Sequence, residues 1–200
     1  MKVLFLIREE NGAKRDSYYI DSLKRFGGEV ITVKDSDSNE DILEKLKEVE
    51  AILLPGGDVV GSKDFFLIDY VISNKLRLLG ICQGMQSMAV WKTGRDLVGI
   101  GDEEHNYEED DFHHFVKLKE GSLLKKIYKA DRIRVNSFHN YTVYDEGNFD
   151  VVGVSDDGLI EAIESSDGTF QIGVQWHPER LLVFENDIYS EKLFRAFLEK

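Results

Sequence analysis

Short apolar runs at residues 3–7, 30–33, 51–54 and 76–81 read as buried strands, each too brief for a helix that packs on one face. Helix-periodic segments lie between them. Residues 16–26 place Tyr19, Leu23 and Phe26 on one side, with Gly27-Gly28 as the stop signal, and 38–48 begins with a serine suited to capping. Further helices are expected over 63–74 and 83–93. This alternation predicts a parallel sheet with crossover helices. Beyond it the pattern changes to short extended stretches at 115–118, 151–154, 159–164 and 170–175, expected as antiparallel strands added to the parallel core. Residues 187–198, with Ile188, Leu193, Phe194 and Phe197, read as a closing amphipathic helix. The chain shows no internal repeat and no low-complexity linker. The expected fold is α/β, an open and mainly parallel sheet flanked by helices, with residues 1–200 forming one domain.

Composition narrows the function classes. Twenty-five basic and 38 acidic side chains give a net charge of −13, which opposes general nucleic-acid binding and attraction to anionic membranes. The first apolar run gives way at once to Arg8-Glu9-Glu10, and no run reaches membrane-spanning length, so a cytoplasmic address is expected. One cysteine cannot form an internal disulfide, in keeping with a reducing compartment.

That cysteine, Cys82, lies in Gly80-Ile81-Cys82-Gln83-Gly84, directly after an apolar run. A strand, a sharp turn and a helix start in that order form a nucleophile elbow, in which flanking glycines let strand and helix approach while the sulfur is held at the sheet end. Backbone N–H groups and the dipole at the helix start favour a thiolate. Taken alone, such a cysteine also reads as a small buried hydrophobe. Residues 173–179 end a short apolar strand in His177 and Glu179, which can hydrogen-bond while the imidazole faces a cleft. The plain alternative there is a capped strand end with Glu179 in solvent. Pro55-Gly56-Gly57 opens a loop whose N–H groups can hold an oxyanion, with Gly57 and Gln83 as the donors, although alone it is a turn.

In this order the segments resemble the class I glutamine amidotransferase family, in particular its stand-alone γ-glutamyl hydrolase branch, over nearly the whole chain. The resemblance is carried by Pro55-Gly56-Gly57, by Gly80 through Gln86, by Asn136-Ser137-Phe138-His139 and by Trp176-His177-Pro178-Glu179. It implies a flavodoxin-like sheet, Cys82 as nucleophile, His177 as general base and later acid, and Glu179 as its orienter. It further implies that Gln86 contacts the glutamyl head group and that Asn136, Ser137, Phe138 and His139 line the same pocket. The implied reaction hydrolyses a small-molecule γ-glutamyl amide through a thioester, with no metal and no organic cofactor. Gly84-Met85-Gln86, where synthase-linked members often have Gly-His-Gln, looks like the hydrolases of free γ-glutamyl amides. Tyr141 stands where many of these hydrolases carry a glutamine, and the chain is short for that branch, so a more open leaving-group pocket is expected.

For the leaving group, basic residues that could reach the cleft are Arg8, Lys14 and Arg15 after the first strand, and Arg132 and Arg134. Arg8 is the candidate to pair with a leaving-group phosphate by charge-assisted hydrogen bonds. The favoured substrate is γ-glutamyl-CDP-amidate, cleaved by small hydrolases of bacterial capsule modification that this sequence is similar to in size and plan. γ-Glutamyl-γ-aminobutyrate is the alternative. A glutaminase subunit passing ammonia to a separate synthase ranks below these. A non-catalytic ligand-binding domain, and the flavodoxin-like chaperones and proteases that also carry a cysteine elbow but lack Trp-His-Pro-Glu, rank lower still. A homodimer stays open, as no interface is identifiable.

Residues 101–114 hold seven acidic side chains together with His105, His113 and His114. They are read as a solvated loop beside the cleft. No metal site is expected from them, because no tight ligand spacing fixes a geometry; a lid that repels acidic competitors is the other reading. His139 is expected to order the pocket rather than to act as a base, a position His177 already fills.

Overall fold

The computed structural model describes residues 1–101, 105 and 113–199; most of the acidic segment read above as a loop or lid lies outside the described residues. The first half of the chain runs β1 (Lys2–Ile7), α1 (Gly12–Arg25), β2 (Glu29–Lys34), α2 (Asn39–Leu46), β3 (Ala51–Leu54), α3 (Ser62–Asn74), β4 (Arg77–Ile81) and α4 (Gln83–Val90). There follow β5 (Val98–Gly99), β6 (His113–Leu118), α5 (Leu123–Tyr128), β7 (Arg132–Asn136), β8 (Tyr141–Thr142), β9 (Asp150–Ser155), β10 (Ile160–Glu164) and β11 (Gln171–Val174). Helices α6 (Pro178–Glu185) and α7 (Ile188–Leu198) close the chain. Among the described residues, nine strands form one sheet in the order β2-β1-β3-β4-β11-β10-β9-β6-β7, and β5 pairs with β8 separately.

The expected α/β architecture is present, with one change of membership. β11, anticipated among the antiparallel additions, runs parallel to β4, with Gly173 beside Gly80 and Val174 beside Ile81. Its other edge is antiparallel to β10. β11 therefore completes the parallel set, and the antiparallel extension is β10, β9, β6 and β7. The local pattern could not reveal this, because a continuous apolar run suits either pairing when both faces are buried.

Alternation along the strands divides the core. Val3 and Phe5 pack on one face with Tyr19 and Leu23 of α1, Leu181 of α6 and Phe194 and Phe197 of α7. Leu4 and Leu6 face the other way, against Ile42 of α2, Leu67 and Val71 of α3 and Met85 and Met88 of α4. Each of these side chains is almost wholly buried, and burial of one such side chain is worth about 1.5–3 kcal/mol. Ser38 caps α2 by accepting from the Asp41 N–H at 3.1 Å, and Asp187 caps α7 through the Ser190 N–H at 2.7 Å. α1 starts at Gly12, four residues before the apolar stripe suggested, and α4 stops at Val90. Among the described residues, no helix is long and apolar enough to cross a membrane.

This topology sends the loops after β1, β3, β4 and β11 to one end of the sheet. Ligands in open parallel sheets gather beyond those carboxyl ends.

Candidate active site

Cys82 links β4 to α4 with φ 51° and ψ −109°, a left-handed conformation strained for a side-chain-bearing residue. The close approach that creates this turn depends on its glycines. A Cβ on Gly84 would collide with the Leu54 carbonyl, and one on Gly80 would lie 2.6 Å from Met88 Sδ and 2.8 Å from the Gly84 backbone. The elbow inferred from the sequence is thus present in geometry.

His177 caps α6, with Pro178 at the first helical position and Glu179 in the first turn. Its Nδ1 donates to Glu179 Oε1 at 2.7 Å, and Glu179 is 1% exposed. The backbone of His177 is clamped by Asn136, whose Oδ1 accepts from the His177 N–H at 2.8 Å while its Nδ2 donates to the His177 carbonyl at 3.1 Å. Gly56 brings thiol and imidazole together: a Cβ there would be 2.9 Å from His177 Cε1 and 3.4 Å from Cys82 Cβ. Burial opposes a charge on His177, but the Glu179 carboxylate and the Cys82 sulfur outweigh it and raise its pKa to about 10. With Nδ1 held by Glu179, Nε2 is left to share a proton with the sulfur. The arrangement can hold a thiolate beside an imidazolium and return the proton to a leaving group.

Around this trio lies a cleft of about 650 Å³, lined in part by Gly56, Gly57, Cys82, Phe138, His177 and Glu179. Lys14, Arg15 and Arg180 add positive charge to its wall. The Phe138 carbonyl is 4.0 Å from Cys82 Sγ, and its ring meets His177 edge to face.

Several expected contacts go elsewhere. Arg8 does not reach the cleft: it is 1% exposed and forms an ion pair at 2.6 Å with the fully buried Asp64. An unpaired guanidinium could not be buried so deeply, and the pair supports the Gly57 loop from beneath, where a Cβ on Gly57 would be 2.5 Å from Arg8 Cδ. Gln86, expected at the head group, is absent from the cleft lining and donates its amide to the Tyr141 carbonyl at 2.9 Å and to Gln175 Oε1 at 3.1 Å. Ser137 is fully buried and donates to the His105 carbonyl, Asn136 serves the clamp, and His139 donates its Nδ1–H to the Tyr141 carbonyl at 3.0 Å. Of the Asn-Ser-Phe-His segment, only Phe138 lines the cleft. The Gln83 side chain is likewise engaged, with Val59, Asp64 and Ser87.

Two residues escaped the sequence reading. Gln175, oriented by Gln86, donates Nε2 to Cys82 Sγ at 3.5 Å. Tyr19, assigned to a packing face of α1, accepts from the Gly56 N–H at 3.1 Å and places its hydroxyl 3.5 Å from His177 Nδ1. Burial, followed by the nearby negative charge of Glu179 and Cys82, holds the Tyr19 phenol well above its usual range, so it stays protonated. A hydroxyl in an otherwise apolar helical stripe was the available signal for Tyr19.

Comparison with known proteins matches this architecture. A Schizosaccharomyces pombe protein bearing the name glutamine amidotransferase is 35% identical over 146 residues, which is 70% of this chain and 56% of that protein. The CTP synthase of Sulfurisphaera tokodaii is 31% identical over 179 residues, 72% of this chain and 33% of its own length. The chain thus spans between a third and just over half of these curated relatives. The glutaminase domain of Trypanosoma brucei CTPS, solved with acivicin bound, superposes with a TM-score of 0.76 at 16% identity, covering 98% of this chain and 93% of that one. A Thermotoga maritima glutamine amidotransferase gives 0.64 at 18%, covering 99% and 94%. These two structural likenesses establish the fold. The family model for Peptidase C26 matches residues 61–179, more than half of the chain, and the chain belongs to that family of class I glutamine amidotransferase-like proteins.

Proposed function

We propose that residues 1–200 work as one catalytic domain that hydrolyses the γ-carboxamide of glutamine to glutamate and ammonia, the ammonia serving a synthase partner. The observation that carries the reading is Cys82 at a strained elbow beside a histidine held at 2.7 Å by a buried glutamate. The relatives that bear synthase names, and the glutaminase domain among the similar structures, support glutamine as the substrate and rank this reading above the conjugate hydrolase expected from sequence.

In this reading Cys82 Sγ attacks the γ-carbonyl carbon and the C=O electrons move to oxygen, where the N–H groups of Gly57 and Gln83 receive the charge. Collapse breaks the C–N bond as His177 gives its proton to the departing nitrogen. Water then attacks the thioester, His177 takes its proton, and glutamate leaves with the thiolate restored. Glu179 keeps the imidazole oriented through both steps. Gln86, Asn136, Ser137 and His139 act from behind the cleft wall rather than on the substrate.

A second reading keeps the chemistry and changes the leaving group. The positive charges of Lys14, Arg15 and Arg180 along the cleft favour an anionic γ-glutamyl conjugate, γ-glutamyl-CDP-amidate before γ-glutamyl-γ-aminobutyrate. Glutamate release from glutamine and from both conjugates, compared as kcat/KM with purified protein, separates the readings. Slow turnover of glutamine alone, stimulated by a co-purifying synthase, supports the first; strong preference for a conjugate without any partner supports the second. Failure to trap a thioester with any substrate overturns both.

A further inference from the structure

Behind the cleft wall, four side chains from separate parts of the chain converge. Glu161 of β10 is fully buried, and its Oε1 lies 3.4 Å from Nε2 of His114 on β6 and 3.6 Å from Nε2 of His139 after β7. His105 completes the group, its ring centroid 5.0 Å from those of both other histidines. One ligand atom each from His105, His139 and Glu161 falls within 4.8 Å of the others.

Direct hydrogen bonding does not account for the spacing. A carboxylate bonded to an imidazole closes to about 2.7–3.2 Å, as His177 and Glu179 do at 2.7 Å. Here the groups stand further apart, and both carboxylate oxygens of Glu161, Nε2 of His139 and both ring nitrogens of His114 are buried without a hydrogen-bond partner. Such clustered unsatisfied groups are rare in native interiors and call for an ion or water among them. Bonds of roughly 2.0–2.1 Å to a tetrahedral cation would set neighbouring ligand atoms about 3.4 Å apart, close to the 3.4 and 3.6 Å separations of Glu161 Oε1 from His114 and His139.

The outer contacts fit the same role. The Tyr141 carbonyl, 3.0 Å from His139 Nδ1, fixes the tautomer whose Nε2 carries the lone pair. Asp157 Oδ2, 2.7 Å from His105 Nε2, makes a carboxylate–histidine pair that leaves Nδ1 to face the cluster, where it would exchange its 3.1 Å contact with Ser137 Oγ for the ion.

We propose that Glu161, His139, His114 and His105 form a closed structural site for a divalent cation of the zinc type. Three imidazoles and one carboxylate suit a borderline ion with tetrahedral preference over magnesium or calcium, which favour more oxygen ligands. The ion would tie β10, β6 and the segment after β7 into one unit. That unit backs the active site: the Glu161 carbonyl accepts from the Gln175 N–H at 2.8 Å, and Phe138 adjoins His139.

The test loads untagged protein comprising residues 1–200 with zinc chloride, removes excess by desalting and measures bound metal, with cobalt(II) loading in parallel. One zinc per chain is expected, together with the visible bands of tetrahedral cobalt, and Cys82→Ala should retain both. Glu161→Gln and His139→Gln should lose the stoichiometric metal, and His114→Gln should weaken zinc at least ~10-fold against a competing chelator. Zinc should raise the Tm of the stripped wild type. Less than half an equivalent bound to wild type overturns the site. So does metal kept by Glu161→Gln but lost by Cys82→Ala, which would place it on the catalytic thiol. If the core variants do not fold, wild-type cobalt protein decides: a thiolate charge-transfer band refutes the proposal, and nitrogen–oxygen bands without one support it.

Discussion

His177 and Glu179 stand two residues apart on one helix start and meet at 2.7 Å, whereas Glu161 draws its histidines from distant segments and stands 3.4 and 3.6 Å from the nearest two. Both clusters bury a carboxylate beside imidazole. In the first, the histidine opens onto a cleft and a sulfur, so its proton has somewhere to go. In the second, the same chemistry is sealed away, and although burial works against its charge, His114 and His139 hold the Glu161 carboxyl below its usual range. Contact distance and access, rather than residue type, separate a pair arranged for proton transfer from a set arranged for holding.

The harshest way to sharpen that contrast is Cys82→Ala. Turnover should fall on the order of 10⁴-fold or more while substrate binding, measured by calorimetry, persists, because only the covalent step is removed. Glu179→Gln should lower kcat by about 10²–10⁴-fold. It should also move the alkaline limb of the kcat/KM profile, expected near pH 10 in the wild type, downward, because the His177 charge is no longer supported.

Glu161→Gln should invert the ranking. Removing one partner from a buried charged cluster costs about 3–5 kcal/mol, read as a lower urea midpoint, while kcat/KM should stay closer to wild type than in Glu179→Gln. The pH dependence of stability gives a subtler test. His177 is charged in the folded protein up to about 10, against about 6.5 for an unfolded histidine, so its stabilisation is complete below about pH 6.5 and is lost as pH rises towards 10. Urea midpoints measured across that window should decline, and decline less in Glu179→Gln. Tyr19→Phe should have the smallest effect, a loss of about 0.5–1.5 kcal/mol from its hydrogen bond to Gly56, seen as a several-fold change in kcat/KM.

How much of this could be read in advance follows the range of each interaction. The elbow was legible because Gly80, Cys82 and Gly84 are neighbours in sequence, and the His177–Glu179 pair because two residues separate them. β7 lies outside the expected strands, although Arg132-Ile133-Arg134-Val135 alternates in strand fashion, with Ile133 and Val135 buried. α5, six residues long, is too short for its period to stand out. The place of Arg8 is not legible locally, because its partner, Asp64, lies 56 residues away. The His105, His114, His139 and Glu161 cluster has no local spacing to find, since its ligands meet only when β6 and β10 are both in the sheet. Gln175 hid in an apolar strand end for the same reason: its amide acquires meaning only beside Cys82.

The neighbouring placement of β4 and β11 also has a consequence in time. The proposed nucleophile is residue 82 and its proposed base residue 177, yet their strands lie side by side, with β11 inserted between β4 and β10. During vectorial synthesis the elbow leaves the ribosome with one flank of its strand unpaired, and closure waits for the last strand to be made. A chain cut short before residue 171 would carry a thiol with no imidazole to share its proton. The two groups can come together only once β11 has been laid down beside β4.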